Sequence, residues 1–205
     1  MVTEETHQKL MEIKRSFRLL MNGPTSQSMR QMGVGYKLNW GVPFIELKKM
    51  AAEYGKDHDL AIELWKEDIR ECKLLATLIM PADQLLPEVA DLWMEQTPTQ
   101  EVAEMLAFNL LQHTPYAAVL AYQWIASDKA FYQIAGFQLL ACLFSQGKEP
   151  NERGINEYLD QAAAALQGDH TGVKHAVANS VMRFINFGED FEQIVRGALK
   201  GIMDI

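Results

Sequence analysis

The sequence has little of what marks a secreted, membrane-embedded or metal-built chain. It holds two cysteines in 205 residues, Cys72 and Cys142, both inside apolar runs and without CxxC spacing. They read as two buried thiols of a reducing compartment, which excludes a disulfide framework. The longest apolar stretches are broken by Gln, Lys or Glu well before the ~18 residues a membrane helix needs, so no membrane partner is expected. The opening residues MVTEETHQKL are charged, which predicts no secretory signal and a cytoplasmic chain.

Most catalytic signatures are also missing. Gly33-Val34-Gly35 follows a helical stretch, not a strand, so the context of a dinucleotide loop fails. No His and Cys residues have zinc-ligand spacing and no GxSxG elbow exists, so neither a metal nor a cofactor is expected. The five histidines are scattered, and helix-end residues such as His113 and His170 read as caps or surface groups.

The net charge of -8 argues, taken whole, against a nucleic-acid binder. The charge is uneven, however. Residues 1–50 carry eight Lys/Arg (Lys9, Lys14, Arg15, Arg18, Arg30, Lys37, Lys48, Lys49) against four Glu. The remaining residues carry 11 basic against 23 acidic side chains. An acidic back with a basic front end is compatible with DNA contact without demanding it.

Helical periodicity runs through the whole chain. Leu10, Ile13, Phe17 and Leu20 make an amphipathic stripe over residues 4–21, with Asn22-Gly23-Pro24 predicted to end it. A short helix to Met32 and the loop 33–36 follow. Pro43 then suits the first turn of a helix with the stripe Phe44, Leu47, Met50 and Ala51. Asp57-His58-Asp59 offers N-cap chemistry for a helix through Trp65, and 69–80 is another, stopped by Pro81. In the second half, helices are predicted over 86–94, from Thr99 to Leu111, from Thr114-Pro115 to Ile125, and from Ser127-Asp128 to Phe144. Further helices run from Pro150-Asn151 to the alanines 162–165, from Thr171 to Ile185, and onward from Gly188. That is roughly eleven helices and no credible strand. Pairs recur at about 30–40 residues, the pattern of HEAT-like arrays, so residues 1–205 are predicted to form a single all-α domain, a curved stack of antiparallel helix pairs. A compact bundle is the alternative, though it favours fewer and longer helices.

The stretch Tyr36-Lys37-Leu38-Asn39-Trp40-Gly41-Val42-Pro43, followed by Glu46-Leu47-Lys48-Lys49-Met50-Ala51, resembles the opening segment of the AlkD-type DNA alkylation repair family. Leu64-Trp65 with 71–80, then 109–115, Ala135-Gly136-Phe137 with Ala141-Cys142-Leu143, and Val173-Lys174 with Ala176-Val177 and Arg183 continue the likeness. It covers roughly residues 30–187. The resemblance implies a HEAT-like helical array and a glycosylase that removes cationic alkylated purines from double-stranded DNA. Such members cup the damaged nucleotide with tryptophans, set a carboxylate near the sugar and hold phosphates with arginines. A cationic alkylpurine is already a good leaving group, so electrostatic stabilisation of the developing sugar cation suffices.

The carry-over departs from this pattern at the working positions. The family's Trp-Asp-x-x-Asp stretch falls on Gln100-Glu101-Val102-Ala103-Glu104, making Glu101 and Glu104 the candidate catalytic carboxylates. Carboxylates in the first turns of a helix also serve the helix dipole for purely structural reasons. An expected arginine is Ile134. A later tryptophan is Asn179, and its following arginine is Met182, with Arg183 one place along and so about 100° around the helix. Lys37, Lys48, Lys49, Lys174, His175 and Arg183 are the candidate nucleic-acid contacts, or an ordinary solvated surface. Trp40, Trp65, Trp93 and Trp124 lie beside apolar residues at helical spacing and read as core rather than base-stacking platforms.

Three functions remain in play: a DNA-binding relative with weak, altered or lost base excision, a non-catalytic scaffold for a protein partner, and an active glycosylase using glutamate.

Overall fold

The stripe that opens the chain does close into a core: Ile13 and Phe17 are fully buried and Leu10 nearly so, all on one face of α1 (Glu4–Leu20). The computed structural model describes residues 3–32 and 34–204, so Gly33 of the predicted loop lies outside the described residues. Among these there are twelve α-helices and two 3-10 turns, and the only strand-like pairing is one isolated parallel bridge between Leu38 and Ile69. The chain is all-α, as its periodicity predicts.

The helices form two compact units, Met1–Met105 and Leu106–Ile205. The first holds α1, α2 (Gly23–Gln31), α3 (Phe44–Tyr54), α4 (His58–Lys66), α5 (Arg70–Ile79) and α6 (Pro87–Glu95), and it contains the start of α7 (Gln100–Asn109). Here α5 packs against both α3 and α4, and α4 against α1. Nine of its ten residues are buried, including Arg70, Glu71 and Lys73. Trp65 and Trp93 stack face to face, with centroids 4.3 Å apart and planes within 3°. The Lys73 ammonium lies 4.5 Å from the Trp65 ring centre and donates to the Trp65 carbonyl. Burial holds its pKa below the usual lysine value. These two tryptophans are core residues, as is Trp124 of the second unit. Trp40 is only half-buried, with the Arg18 guanidinium 5.8 Å from its ring centre.

In the second unit α9 (Ala130–Ser145) packs against both α8 (Ala117–Ile125) and α11 (Thr171–Phe184), while α10 (Glu152–Gln167) touches α8, α11 and α12 (Glu189–Ala198). Phe144, Tyr158, Phe184, Phe187 and Phe191 form an aromatic cluster of edge-to-face and tilted contacts. The Tyr158 hydroxyl is paired with Ser180 at 2.8 Å, so its one buried polar atom is satisfied.

Several predicted boundaries shift for identifiable reasons. Asn22-Gly23-Pro24 starts α2 rather than ending α1: the Asn22 side chain accepts from the Thr25 amide, and Pro24 occupies the first turn, where its missing N–H costs nothing. Thr114 and Ser127-Asp128 do not cap α8 and α9, whose N-cap residues Tyr116 and Lys129 make no side-chain cap bond. Instead the Thr114 hydroxyl donates back to the Leu111 carbonyl, closing a 3-10 turn over Leu111–His113 after α7 ends at Asn109. The cap of α11 is His170, whose ring nitrogen accepts from the Val173 amide, rather than Thr171. Asp57 and Asn151 cap as predicted.

Two glycines are fixed by close approach. Gly41 has φ +69°, and a Cβ there would fall 2.4 Å from the Asn22 carbonyl oxygen. A Cβ on Gly136 would lie 2.8 Å from the Ile125 amide nitrogen and 3.0 Å from the Ala121 oxygen, both backbone atoms of α8. Gly136 therefore sets how closely α8 and α9 pack. Gly136→Ala is expected to destabilise by about 1–3 kcal/mol, the usual effect of overpacking, and to lower Tm by several degrees in a thermal melt.

Candidate nucleic-acid interface

The candidate carboxylates sit at the start of α7, and the chain around them is built on a buried charge. The Arg70 side chain is 4% exposed and Glu71 is fully buried. Arg70 binds Glu101 with two nitrogens, Nε to Oε2 at 2.8 Å and Nη2 to Oε1 at 2.6 Å, and its Nη1 donates to the Val42 carbonyl at 3.1 Å. Glu71 faces the same guanidinium at 3.3 Å and accepts from the Trp40 and Val42 amides. The Tyr36 hydroxyl donates to Glu101 Oε2 at 2.5 Å and accepts from Thr99, whose oxygen in turn caps α7 by accepting from the Val102 amide.

The electrostatics follow from this packing. Burial pushes the Glu101 carboxyl up, but the hydrogen bonds and charge of Arg70, with the Tyr36 hydrogen bond, outweigh it and hold its pKa below the usual value. Burial and the adjacent Glu101 charge drive the Tyr36 phenol well above its ordinary value, so it stays a neutral donor. Both oxygens of Glu101 are thus hydrogen-bonded by protein groups. Glu104, one turn along and half-buried, accepts from the Gln100 amide at 2.9 Å and from no other group among the described residues.

The candidate cations differ in how free they are. Lys37 lies 3.8 Å from Asp68 and Lys49 pairs with Glu46 at 2.8 Å. Lys48 makes no ion pair among the described residues and stands 5.3 Å from the Phe44 ring centre. On α11, His175, Asn179 and Arg183 fall four residues apart and make one stripe. Lys174 does not join them: the nine residues separating it from Arg183 are about two and a half turns, which puts it at the opposite edge of the helix.

Arg183, one place past the position matched to an arginine, faces a cavity. Within the second unit Arg183 and Asn179 together line a cavity of about 370 Å³, shared with Phe108, Gln112, Cys142 and Gln146. Asn179 donates to Gln138 of α9 at 2.7 Å. Burial raises the Cys142 thiol to about 11, opposed by the nearby Arg183 charge. Cys142 is half-buried, whereas Cys72 is buried as predicted. Ile134, the position matched to an arginine, is fully buried core, and Met182 is 52% exposed. No group of three metal-binding side chains occurs among the described residues, and no helix there is long and apolar enough to cross a membrane.

Sequence reasoning missed Arg70, Tyr36, Gln112 and Gln146. The available signal was a pair of charges, Arg70-Glu71, heading a helix that is apolar after them except at Lys73 and Thr77.

Because Glu101 is the main anion facing a buried guanidinium, Glu101→Gln is expected to destabilise. The loss should sit near the lower end of the roughly 3–5 kcal/mol for breaking a buried pair, since Glu101 itself is 32% exposed. The sign with pH follows from its depressed pKa. The stabilisation is fully present above the ordinary carboxyl value of 4.5 and is lost as pH falls below it through the folded-state value. Denaturant titrations of both proteins from pH 7 to 3 check this, and the gap between them should narrow at the acid end.

Comparison with known proteins agrees with this architecture. One solved structure, described as a new family of proteins related to the HEAT-like repeat DNA glycosylases with affinity for branched DNA structures, superposes with a TM-score of 0.82 at 17% identity. The match covers 94% of this chain and 83% of that chain and shows a HEAT-like repeat fold. No curated protein matches the sequence. The DNA alkylation repair enzyme family matches residues 13–184, most of the chain including α7, the Arg70 network and the α9–α11 cavity. The chain belongs to the DNA alkylation repair enzyme family.

Proposed function

We propose that this protein binds DNA, with branched DNA the preferred form, and that it excises cationic alkylpurines slowly or not at all. The observation that carries the second half is the capture of Glu101 by Arg70 and Tyr36, which hydrogen-bonds both carboxylate oxygens and pairs their charge with a guanidinium, making Glu101 a poor stabiliser of a developing sugar cation. Family membership and the branched-DNA affinity given for the structural neighbour support the first half.

The replaced positions set the scale. Gln100 and Asn179 for tryptophans forgo cation–π contacts of about 0.5–2 kcal/mol each. Ile134, buried in α9, cannot reach a phosphate and forgoes a charge-assisted contact of about 1.5–3 kcal/mol. Together these amount to roughly 3–7 kcal/mol, or two to five orders of magnitude in rate. Such terms are not additive in detail, and they rank poor excision above good. Glu104 is the remaining carboxylate available for residual activity.

A protein-binding scaffold is the second reading. It is favoured by apolar side chains left in solvent, notably Leu19 at 88% and Met32 at 71% exposure.

DNA affinity is expected to be electrostatic, with a log–log salt slope that falls by about 0.9 for each phosphate contact removed. Lys48→Ala and Lys174→Ala should each flatten the slope by about that amount. Lys37→Ala and Lys49→Ala should do less, because Asp68 and Glu46 already neutralise those ammonium groups. Filter binding of a four-way junction and a linear duplex from 20 to 200 mM salt measures both slope and preference. Failure to bind either at low salt would transfer support to the scaffold reading.

Release of 7-methylguanine from methylated DNA is expected to be slow or undetectable, and any residual rate should drop further in Glu104→Gln. Family-like turnover by the unmodified protein would instead establish an active glycosylase that uses glutamate.

A further inference from the structure

The cavity between α9 and α11 has a chemistry unlike that of a cation-binding site. Its lining includes Gln112, Gln146, Asn179 and Arg183 with an apolar wall from Phe108 and Ala141, and no carboxylate. A cationic alkylpurine entering it meets a guanidinium and no anion. At about 370 Å³ the cavity has the size of a small-molecule pocket.

Its amides are held in place by each other. Gln146 Nε2 donates to Gln112 Oε1 at 2.8 Å, and Gln112 donates to the Phe108 carbonyl, so the Gln112 amide is oriented at both ends. Asn179 Nδ2 donates to Gln138 Oε1 at 2.7 Å. In both Gln146 and Asn179 one donor hydrogen is thereby used, while the carbonyl oxygen and the second N–H have no partner among the described residues. Two fixed amides, each with one acceptor and one donor unspent, match the edge of a nucleobase, which presents the same alternation. Asn and Gln make such paired bonds to adenine in particular. Arg183, exposed and without an ion pair among the described residues, is placed for the phosphate flanking that base.

We propose that this cavity takes the neutral base of an unpaired nucleotide, adenine best, at a branch or bulge in DNA. The assignment rests on the DNA-binding reading above and deepens it: discrimination comes from amide hydrogen bonds to an uncharged base, where the family pattern uses tryptophans against a charged one. An unpaired base suits the site because no base pair must be opened for it to enter.

The test is a three-way junction carrying one unpaired adenine at the branch, compared with the same junction carrying a tetrahydrofuran abasic residue there. The unmodified protein is expected to bind the adenine junction about ten-fold or more tightly. In Asn179→Ala and in Gln146→Ala the ratio should fall towards one, with affinity for the abasic junction unchanged. Gln146 is exposed, so its variant keeps the test clear of folding defects, which a thermal melt checks. Equal binding of the two junctions by the unmodified protein, or a ratio untouched by both variants, would overturn the assignment while leaving DNA binding intact. Binding of neither junction at low salt would overturn the DNA reading and this one with it. Tighter binding of an unpaired 7-methylguanine than of guanine at the same place would show that the cavity selects a cation and would overturn it too.

Discussion

A guanidinium buried to 4% exposure cannot shed its proton, so the protein around Arg70 must supply anions and carbonyls. That requirement organises the first unit. Glu71 and Glu101 supply the charge and Val42 a carbonyl. Glu71 then has lone pairs left for the Trp40 and Val42 amides, which fastens the irregular segment 36–43 to α5. Glu101 has one left for Tyr36, and Tyr36 reaches the cap of α7 through Thr99. One unneutralisable charge therefore sets the position of a loop and of a helix start, and with it the place of Glu104 one turn further on. The left-handed turn at Gly41 belongs to the same construction, since any side chain there would collide with the Asn22 carbonyl of α2.

This explains why Glu101 is ambiguous by itself. At the first turn of α7 it suits the helix dipole, at the family motif it suits catalysis, and in the folded chain it is half of a bidentate ion pair. The pairing accounts for its place in the fold. A carboxylate held by two guanidinium nitrogens and a phenol has its charge already compensated, whereas Glu104 is met, among the described residues, by a neutral amide. The two glutamates stand three residues apart on one helix and differ in charge environment because their neighbours differ.

The fold was legible because the apolar periodicity is local: Leu10, Ile13 and Phe17, or Leu60, Leu64 and Trp65, declare a helix from a dozen residues of sequence. Caps were legible where one residue type has one use, as at Asp57 and Asn151. They were misread where a residue has two. Gly-Pro both ends and begins helices, and Thr114 has a hydroxyl that donates backward as readily as it accepts forward. The site was legible as a set of residue types but not as a set of partners. Arg70 and Glu101 are separated by 31 residues, Tyr36 and Glu101 by 65, and nothing in a spacing pattern joins them. Arg183 has a relation that only the structure draws out: one place past the position matched to the family's arginine, it lies one turn from Asn179 on the same stripe and shares a cavity with it.

Charge bears on the same point. The overall -8 suggests an acidic protein that repels DNA, and the +4 of the first fifty residues suggests the reverse. Neither sum describes what a phosphate meets, because two of the candidate lysines are already spent on Asp68 and Glu46. An ion-paired lysine gains little from a phosphate, having to give up one anion to take another, while an unpaired one releases the counterions that drive binding. Among the candidate cations, those without an ion pair among the described residues are Lys48 in the first unit and Lys174 and Arg183 in the second. Arg183 stands beside amides rather than carboxylates. A cation among amides leaves an anion or a neutral polar group favoured over another cation, whatever the family's usual ligand. Exchanging tryptophan for asparagine at residue 179 thus removes a stacking wall for a charged base and puts in its place a hydrogen-bonding edge for an uncharged one.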